Sequence, residues 1–386
     1  MTSINKGERS SFNFYRVLRS IWLNQDISQV ELGQEHSLDK ATVSNIISYL
    51  SQKNIIKVVK KQQIGNKPGR RPVGLAINNN FGYIIGIEIL NKGLKIVAVD
   101  MHNNKIVENY QNISITYGNM DILLSEGIEK FKKNSELEDK TCVSIGFGFP
   151  GIIDHGNGIA HRSFEFGDPK IEYDFKEKIF SKFTVPCFID NDANCCTWGI
   201  LTEHRSKSYK NFMFVYLNFR TWTDKKKTLS NMGVGLGIAI NGTLYFGDSN
   251  SAGEFNSIRR KSINSGQFSI DFEEMARLKT DEKIQQRFAL ELAEQVSQYV
   301  TTMNFGQLFL GGDVDYLPFD MKEILSKELN KNWPYDEPVQ CKVKIISKQE
   351  NLVASGAAGM CLERLFAIPE NPEGIQISAA RWDLLI

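Results

Sequence analysis

No apolar run in this chain approaches the about 20 residues that a membrane-spanning helix needs. The first residues, Met1 to Tyr15, lack the apolar stretch of a secretory signal, so a cytoplasmic location is expected. Cysteine is sparse: Cys142, Cys187, Cys195, Cys196, Cys341 and Cys361 are the six in 386 residues. None sits in a CxxC pair or has a histidine at metal-ligand spacing, so reduced thiols in a cytosol are the simplest reading and no metal is expected. Also missing is any acidic residue between Lys40 and Pro72, a stretch that holds eight Lys or Arg. Over residues 1–72 twelve basic residues face five acidic ones, a balance of +7 that leaves −6 for the rest of a chain whose net charge is +1. A basic end on an acidic body is the footprint of a polyanion-binding module joined to something else. A merely solvated basic surface would give the same count.

What is present is globular in type: 41% hydrophobic and 24% charged residues, in a chain long enough for two or three units. Phe14, Val17, Leu18, Ile21 and Trp22 repeat at helical spacing and mark an amphipathic helix. Ser28-Gln29-Val30-Glu31 is a capping box, with Ile27 and Leu32 placed as a hydrophobic staple, and predicts a second helix. Asp39 is the N-cap of a third, whose buried stripe is Val43, Ile46, Ile47 and Leu50. With a tight turn near His36–Leu38, this is a helix-turn-helix. The outward face of the third helix carries Lys40, Thr42, Ser44, Asn45 and Ser48. Asn45 can pair bidentately with adenine, while Lys40 and Thr42 in the first turn suit phosphate. Strands at Ile55–Lys60 and Val73–Ile77 flank Lys61–Pro72, which reads as a wing that would carry Arg70 and Arg71 to a narrow minor groove. A flexible basic linker is the alternative.

From Phe81 onward the texture is β then α. Strands at Tyr83–Leu90, Leu94–Asp100 and Lys105–Asn112 precede a helix at Met120–Lys133 and a strand at Thr141–Phe147. The order returns with strands at Phe212–Leu217, Gly233–Ile240 and Gly242–Tyr245, a helix at Lys283–Met303 and a strand at Gln307–Leu310. Such a repeat predicts two related α/β lobes with a ligand cleft between them.

Four segments then appear in order: Gly148-Phe149-Pro150-Gly151-Ile152-Ile153-Asp154, Asp190-Asn191-Asp192-Ala193-Asn194, the glycine-rich run Gly233 to Gly242, and Ala252-Gly253-Glu254-Phe255. Together with Leu310-Gly311-Gly312 and Ala354 to Gly359 they resemble the ROK family (repressors, open reading frames and sugar kinases), in its xylose-repressor-like branch with an N-terminal winged helix. The resemblance covers nearly the whole chain. It implies an α/β fold: a winged helix-turn-helix over 1–78, then a two-lobed actin-like, ribonuclease-H-like sugar-sensing domain over 79–386.

The resemblance also assigns roles. Asp192 matches the general base of the family's kinases, and Asn191 and Glu254 match further sugar contacts. A carboxylate can abstract a hydroxyl proton or simply accept its hydrogen bond. Asp190 and Asp192 capping the helix near Ala193 is the alternative. Glu165, within His161 to Phe166, falls where relatives present a polar residue and an aromatic to the sugar; Phe164 or Phe166 would stack on a pyranose face or lie in the core.

Phosphate handling looks damaged. The kinases' Asp-x-Gly-Gly-Thr is matched by Glu88-Ile89-Leu90-Asn91-Lys92, which brings side chains where backbone must approach phosphate. Asn218–Met232, with its three lysines Lys225 to Lys227, stands as an insertion and reads as a solvated loop. The family's zinc ligands are missing too, since Phe255-Asn256-Ser257 follow Glu254 and no cysteine lies in Arg259–Phe272. The expectation is a sugar-responsive DNA-binding regulator, a repressor of carbohydrate-utilisation genes, that is not an enzyme and uses no cofactor. Its partners would be an operator duplex, a sugar or sugar derivative, and a second copy of itself in a homodimer or higher even oligomer. The alternatives are an ATP-dependent sugar kinase carrying a DNA-binding module, and a regulator that has lost sugar binding and answers to a protein partner.

Overall fold

Capping chemistry fixes the N-terminal helices, α1 (Lys6–Leu23), α2 (Gln29–His36) and α3 (Lys40–Gln52). Ser28 accepts the Glu31 amide while the Glu31 carboxylate accepts the Ser28 amide at 2.8 Å, so two orphan donors at the start of α2 are satisfied reciprocally. Asp39 accepts the Thr42 amide at 2.9 Å and starts α3. Next, β1 (Ile56–Lys60) pairs antiparallel with β2 (Val73–Ile77), from Ile56 opposite Ile77 to Lys60 opposite Val73. The computed structural model describes residues 6–60, 73–166, 172–203, 209–224, 227–261, 266–346, 351–368 and 382. The expected wing tip, with Arg70 and Arg71, lies outside them.

The first lobe opens with the meander β3 (Tyr83–Leu90), β4 (Gly93–Asp100) and β5 (Lys105–Asn112), followed by α4 (Met120–Lys132) and β6 (Cys142–Phe149). A small antiparallel sheet of β7 (Ile152–Asp154), β8 (Ile159–Arg162) and β9 (Tyr173–Asp174) leads through α5 (Phe175–Lys178) to β10 (Cys187–Asn191) and α6 (Asp192–Glu203). The second lobe has β11 (Phe212–Asp224), β12 (Lys227–Ile240), β13 (Thr243–Leu244), α7 (Phe272–Met275), α8 (Glu282–Met303), β14 (Gln307–Gly312), α9 (Met321–Asn332) and β15 (Lys342–Ile345). The two five-stranded sheets have the same plan, β10-β6-β3-β4-β5 and β13-β12-β11-β14-β15. Each places the first meander strand at its centre, parallel to the strand that follows the helix. The expected repeat is therefore present in the backbone.

One expectation changes. Residues 218–224 and 227–232 are not an open loop: β11 and β12 run on as strands, paired as far as Asp224 opposite Lys227, while Lys225 and Lys226 lie outside the described residues. Thr221, Trp222, Thr223 and Thr228 favour extended backbone, which outweighs the charge of the lysines nearby.

The final helix, α10 (Leu352–Leu365), returns to the first lobe and packs on β3, β6 and α6. Its end meets the N-terminal unit. Trp22 stacks on Phe366 with centroids 4.7 Å apart and donates its indole N–H to the Met101 carbonyl at 3.2 Å. One apolar core thus runs from α1 and α3 into β3, β4 and α10.

Candidate functional site

The polar face expected to read DNA is built on α3. Val43, Ile47 and Leu50 are buried, which turns Lys40, Ala41, Asn45 and Ser48 outward and leaves Thr42 and Ser44 at the border. The Thr42 hydroxyl donates to Asp39 at 2.7 Å, so its hydrogen is engaged in the cap, while Lys40 is exposed. Lys57 and Lys60 extend the basic surface along β1. Tyr49, which the sequence pattern did not single out, is exposed at the far end of α3 with its ring edge-on to Phe14.

The cleft is built at strand ends. Strands β3, β6 and β10 are mutually parallel, so Leu90, Phe149 and Asn191 finish side by side, and ligands in open α/β sheets sit just beyond such carboxyl ends. Asn191 spans the gap to the next turn by donating its amide to the Gly151 carbonyl at 3.0 Å, and its own oxygen accepts the Asn194 amide at 3.1 Å. Asp192 opens α6, 4% exposed, with one oxygen accepting the Ala193 amide at 2.9 Å. Glu254 is exposed and reaches the same place from the second lobe. Gly253 makes that possible: its φ is 93° and a side chain there would meet the Leu236 carbonyl at 1.9 Å, so glycine alone lets Glu254 bridge to Gly235. A Cβ on Gly235 would in turn lie 3.8 Å from the Asp192 carboxylate.

Glu165 is buried, and one of its oxygens accepts the Asn91 backbone amide at 3.0 Å, while the Asn91 side chain donates to the Glu165 carbonyl at 3.3 Å. Phe166 stacks on Phe149 in the core, whereas Phe164 is 66% exposed. Of the two aromatic candidates, Phe164 is the one with a free face. The structure thus brings Asn191 and Asp192 together, joins Glu254 to them through the bridge to Gly235 beside the expected cleft opening, and ties Glu165 to the β3–β4 turn.

Behind this opening lies a buried polar cluster that sequence reasoning missed. Asp190, 1% exposed, accepts the Asn194 amide at 2.8 Å and the Trp198 indole at 3.0 Å. Arg364, on α10, is equally deep; burial pushes its guanidinium below the ordinary value, and Asp190 is the strongest influence holding the charge. His155, in the β7–β8 turn, stacks on Phe246 with centroids 3.9 Å apart and is held below its ordinary value chiefly by burial.

Residues 84–259 match the ROK family. A xylose repressor of Bacillus spizizenii is 27% identical over 310 residues, which cover 76% of each chain. Among solved structures, a ROK family transcriptional regulator described as a homologue of the E. coli MLC protein superposes with a TM-score of 0.71 at 16% identity, over 92% of this chain and 96% of that one. A ROK family glucokinase from Streptomyces griseus, solved with glucose and AMPPNP, gives 0.53 at 15% identity over 72% of this chain and 98% of that one. At these identities the superpositions establish the fold: an N-terminal helical unit followed by the two lobes of an actin-like ROK domain.

Two groups associated with the family do not fit the residues of this ROK domain. Where a nucleotide's phosphates would approach, Glu88 is fully engaged, paired with Lys95 at 2.8 Å and accepting the Tyr216 hydroxyl of the second lobe at 3.2 Å. The Asn91 amide that would face phosphate is committed to Glu165. Zinc fits no better. Phe255 is core, and Cys195, Cys196 and Cys361 are buried between α6 and α10. Burial pushes the Cys361 thiol up to about 12 and raises the other two well above the ordinary value, away from the thiolate a metal needs.

Proposed function

We propose that this chain is a sugar-responsive DNA-binding repressor of carbohydrate-utilisation genes whose kinase-like domain senses and does not phosphorylate. The observation that carries this is an outward polar face on one helix, Lys40, Asn45 and Ser48 with Ser44 at its border, in the same chain as a Glu88 that Lys95 and Tyr216 engage where a kinase would approach phosphate. The relative named xylose repressor supports it and makes D-xylose the first sugar to try. In this reading Asn191, Asp192, Glu254 and Glu165 form the sugar site, Asp192 accepting from hydroxyls and Asn191 supplying both kinds of partner. Lys40, Thr42, Ser44, Asn45, Arg70 and Arg71 contact the operator. The protein acts in the cytosol as a homodimer, because one recognition helix offers too few base contacts and two-fold pairing doubles them on a palindrome.

The test uses the full chain. Calorimetry with D-xylose and D-glucose should detect binding, and Asp192→Ala should weaken it by on the order of 1–3 kcal/mol, or about 5- to 150-fold. A coupled ATP-turnover assay with the same sugars should stay at background. Turnover that vanishes in Asp192→Ala would restore the kinase reading.

A further inference from the structure

Neighbouring residues of α10 face opposite partners. Glu363 pairs with Arg19 of α1 at 3.3 Å, and Arg19 also donates to the Phe366 carbonyl at 3.2 Å. Arg364 turns inward, its guanidinium 5.0 Å from the ring centroid of Phe188 on β10, the strand that ends in Asp190 and Asn191, and the charge of Asp190 favours its charged form. Asp190 itself accepts from groups of its own segment: the Asn191 and Asn194 nitrogens at 2.8 Å each and the Trp198 indole at 3.0 Å. His155 feels both charges of this pair. Its stacking partner Phe246 belongs to the stretch that runs on to Gly253 and Glu254.

We propose that Arg364 is a positioning residue for the sugar-binding segment and that, with Glu363, it ties that segment to the DNA-reading helices through Arg19. A buried arginine is expensive to keep charged, and it holds only while its countercharge stays in place. A shift of residues 190–194 on ligand binding therefore changes what Arg364 experiences. Because α10 is one rigid helix, the change reaches Glu363 and the Trp22–Phe366 stack at the same helix end. The inference rests on the sugar site proposed above for its meaning, but the physical link does not require a sugar to be tested.

Native-state hydrogen exchange on the full chain, without sugar or DNA, tests the link. Arg19→Ala removes a partly exposed side chain far from the opening, so the fold should survive. Amides of residues 190–198 should then exchange roughly 2- to 30-fold faster, the range expected for coupling carried through packed networks. Arg364→Met should loosen the same amides and those of α1, and Arg364→Lys, which keeps the charge, should recover part of the protection. The amides of α8, in the other lobe, serve as the control. Unchanged exchange at 190–198 in Arg19→Ala, or an equal rise in α8, would overturn the proposal. Titration of wild type with D-xylose and D-glucose in parallel separates the two readings: failure of both sugars to bind counts against sugar sensing, while the exchange result stands or falls by itself.

Discussion

At the residue scale, burial decides what each polar group can do. Asp190 and Asp192 are two buried acids of one segment, yet Asp190 accepts from the Asn194 side chain and the Trp198 indole while Asp192 accepts the Ala193 amide at the start of α6. Sequence alone left both as possible helix caps, because the distinction depends on which groups of α6 turn back onto each carboxylate. Glu165 was visible as a candidate, but its bond to Asn91 was not, since that bond is made only when the segment after β8 folds onto the β3–β4 turn, 74 residues away in the chain. His155 offers a pH test. Burial lowers its pKa from 6.5, opposed by Asp190 and Asp154 and reinforced by Arg364. A histidine whose folded pKa is depressed contributes stability that is complete above the unfolded value, and that is lost as pH falls toward the folded one. Stability should therefore drop between about pH 7.5 and about pH 5.5, and His155→Asn should shrink the drop, His36 accounting for part of the remainder. Equal drops in wild type and variant, followed by thermal melts, would contradict the assignment.

At the element scale, local signals were legible and long-range ones were not. The capping box at Ser28 and the cap at Asp39 are sequence-local and start α2 and α3 where expected. The long β11–β12 pairing was missed because its lysines mask a pattern of β-formers. The Asp39 cap carries its own prediction: the Thr42 hydroxyl, then the Thr42 amide, hold its carboxyl below the usual 3.8. Its contribution is present above that value and lost as pH falls through the folded one, so amides at the start of α3 should lose protection in acid. Asp39→Asn should keep a neutral cap and remove this dependence. Gly356 sets a different limit, because a Cβ there would come within 1.8 Å of the Cys195 carbonyl oxygen. Alanine is intrinsically better in a helix by about 1 kcal/mol. Overpacking costs about 1–3 kcal/mol, and a backbone carbonyl has no rotamer by which to move aside. Gly356→Ala should therefore destabilise the chain in denaturant titrations, with α6 and α10 losing protection first.

At the scale of the whole molecule, the boundary expected at residue 78 is a boundary in sequence more than in packing. Trp22, Leu18 and Ile21 of α1 share one core with Val97, Val99, Leu362, Leu365 and Phe366, and Trp382 closes it against Phe366 and Phe81. No pattern within residues 1–78 marks this, since an amphipathic helix looks the same whether its partner is local or remote. Among the described residues no helix is long and apolar enough to cross a membrane, and the apolar face of α1 belongs to this core. A DNA-reading unit seated this way can be moved by its sensor only if the two share a cooperative transition. Trp22→Ala should cost about 3–5 kcal/mol, the loss expected for truncating a buried aromatic. Its effect should spread to both sides: in hydrogen exchange, α1 and α3 and the strands β3 and β4 should lose protection together, while α8 keeps its own. Loss confined to residues 6–60 would mean that the N-terminal unit unfolds alone and that the sensor must act on it through looser contacts than these.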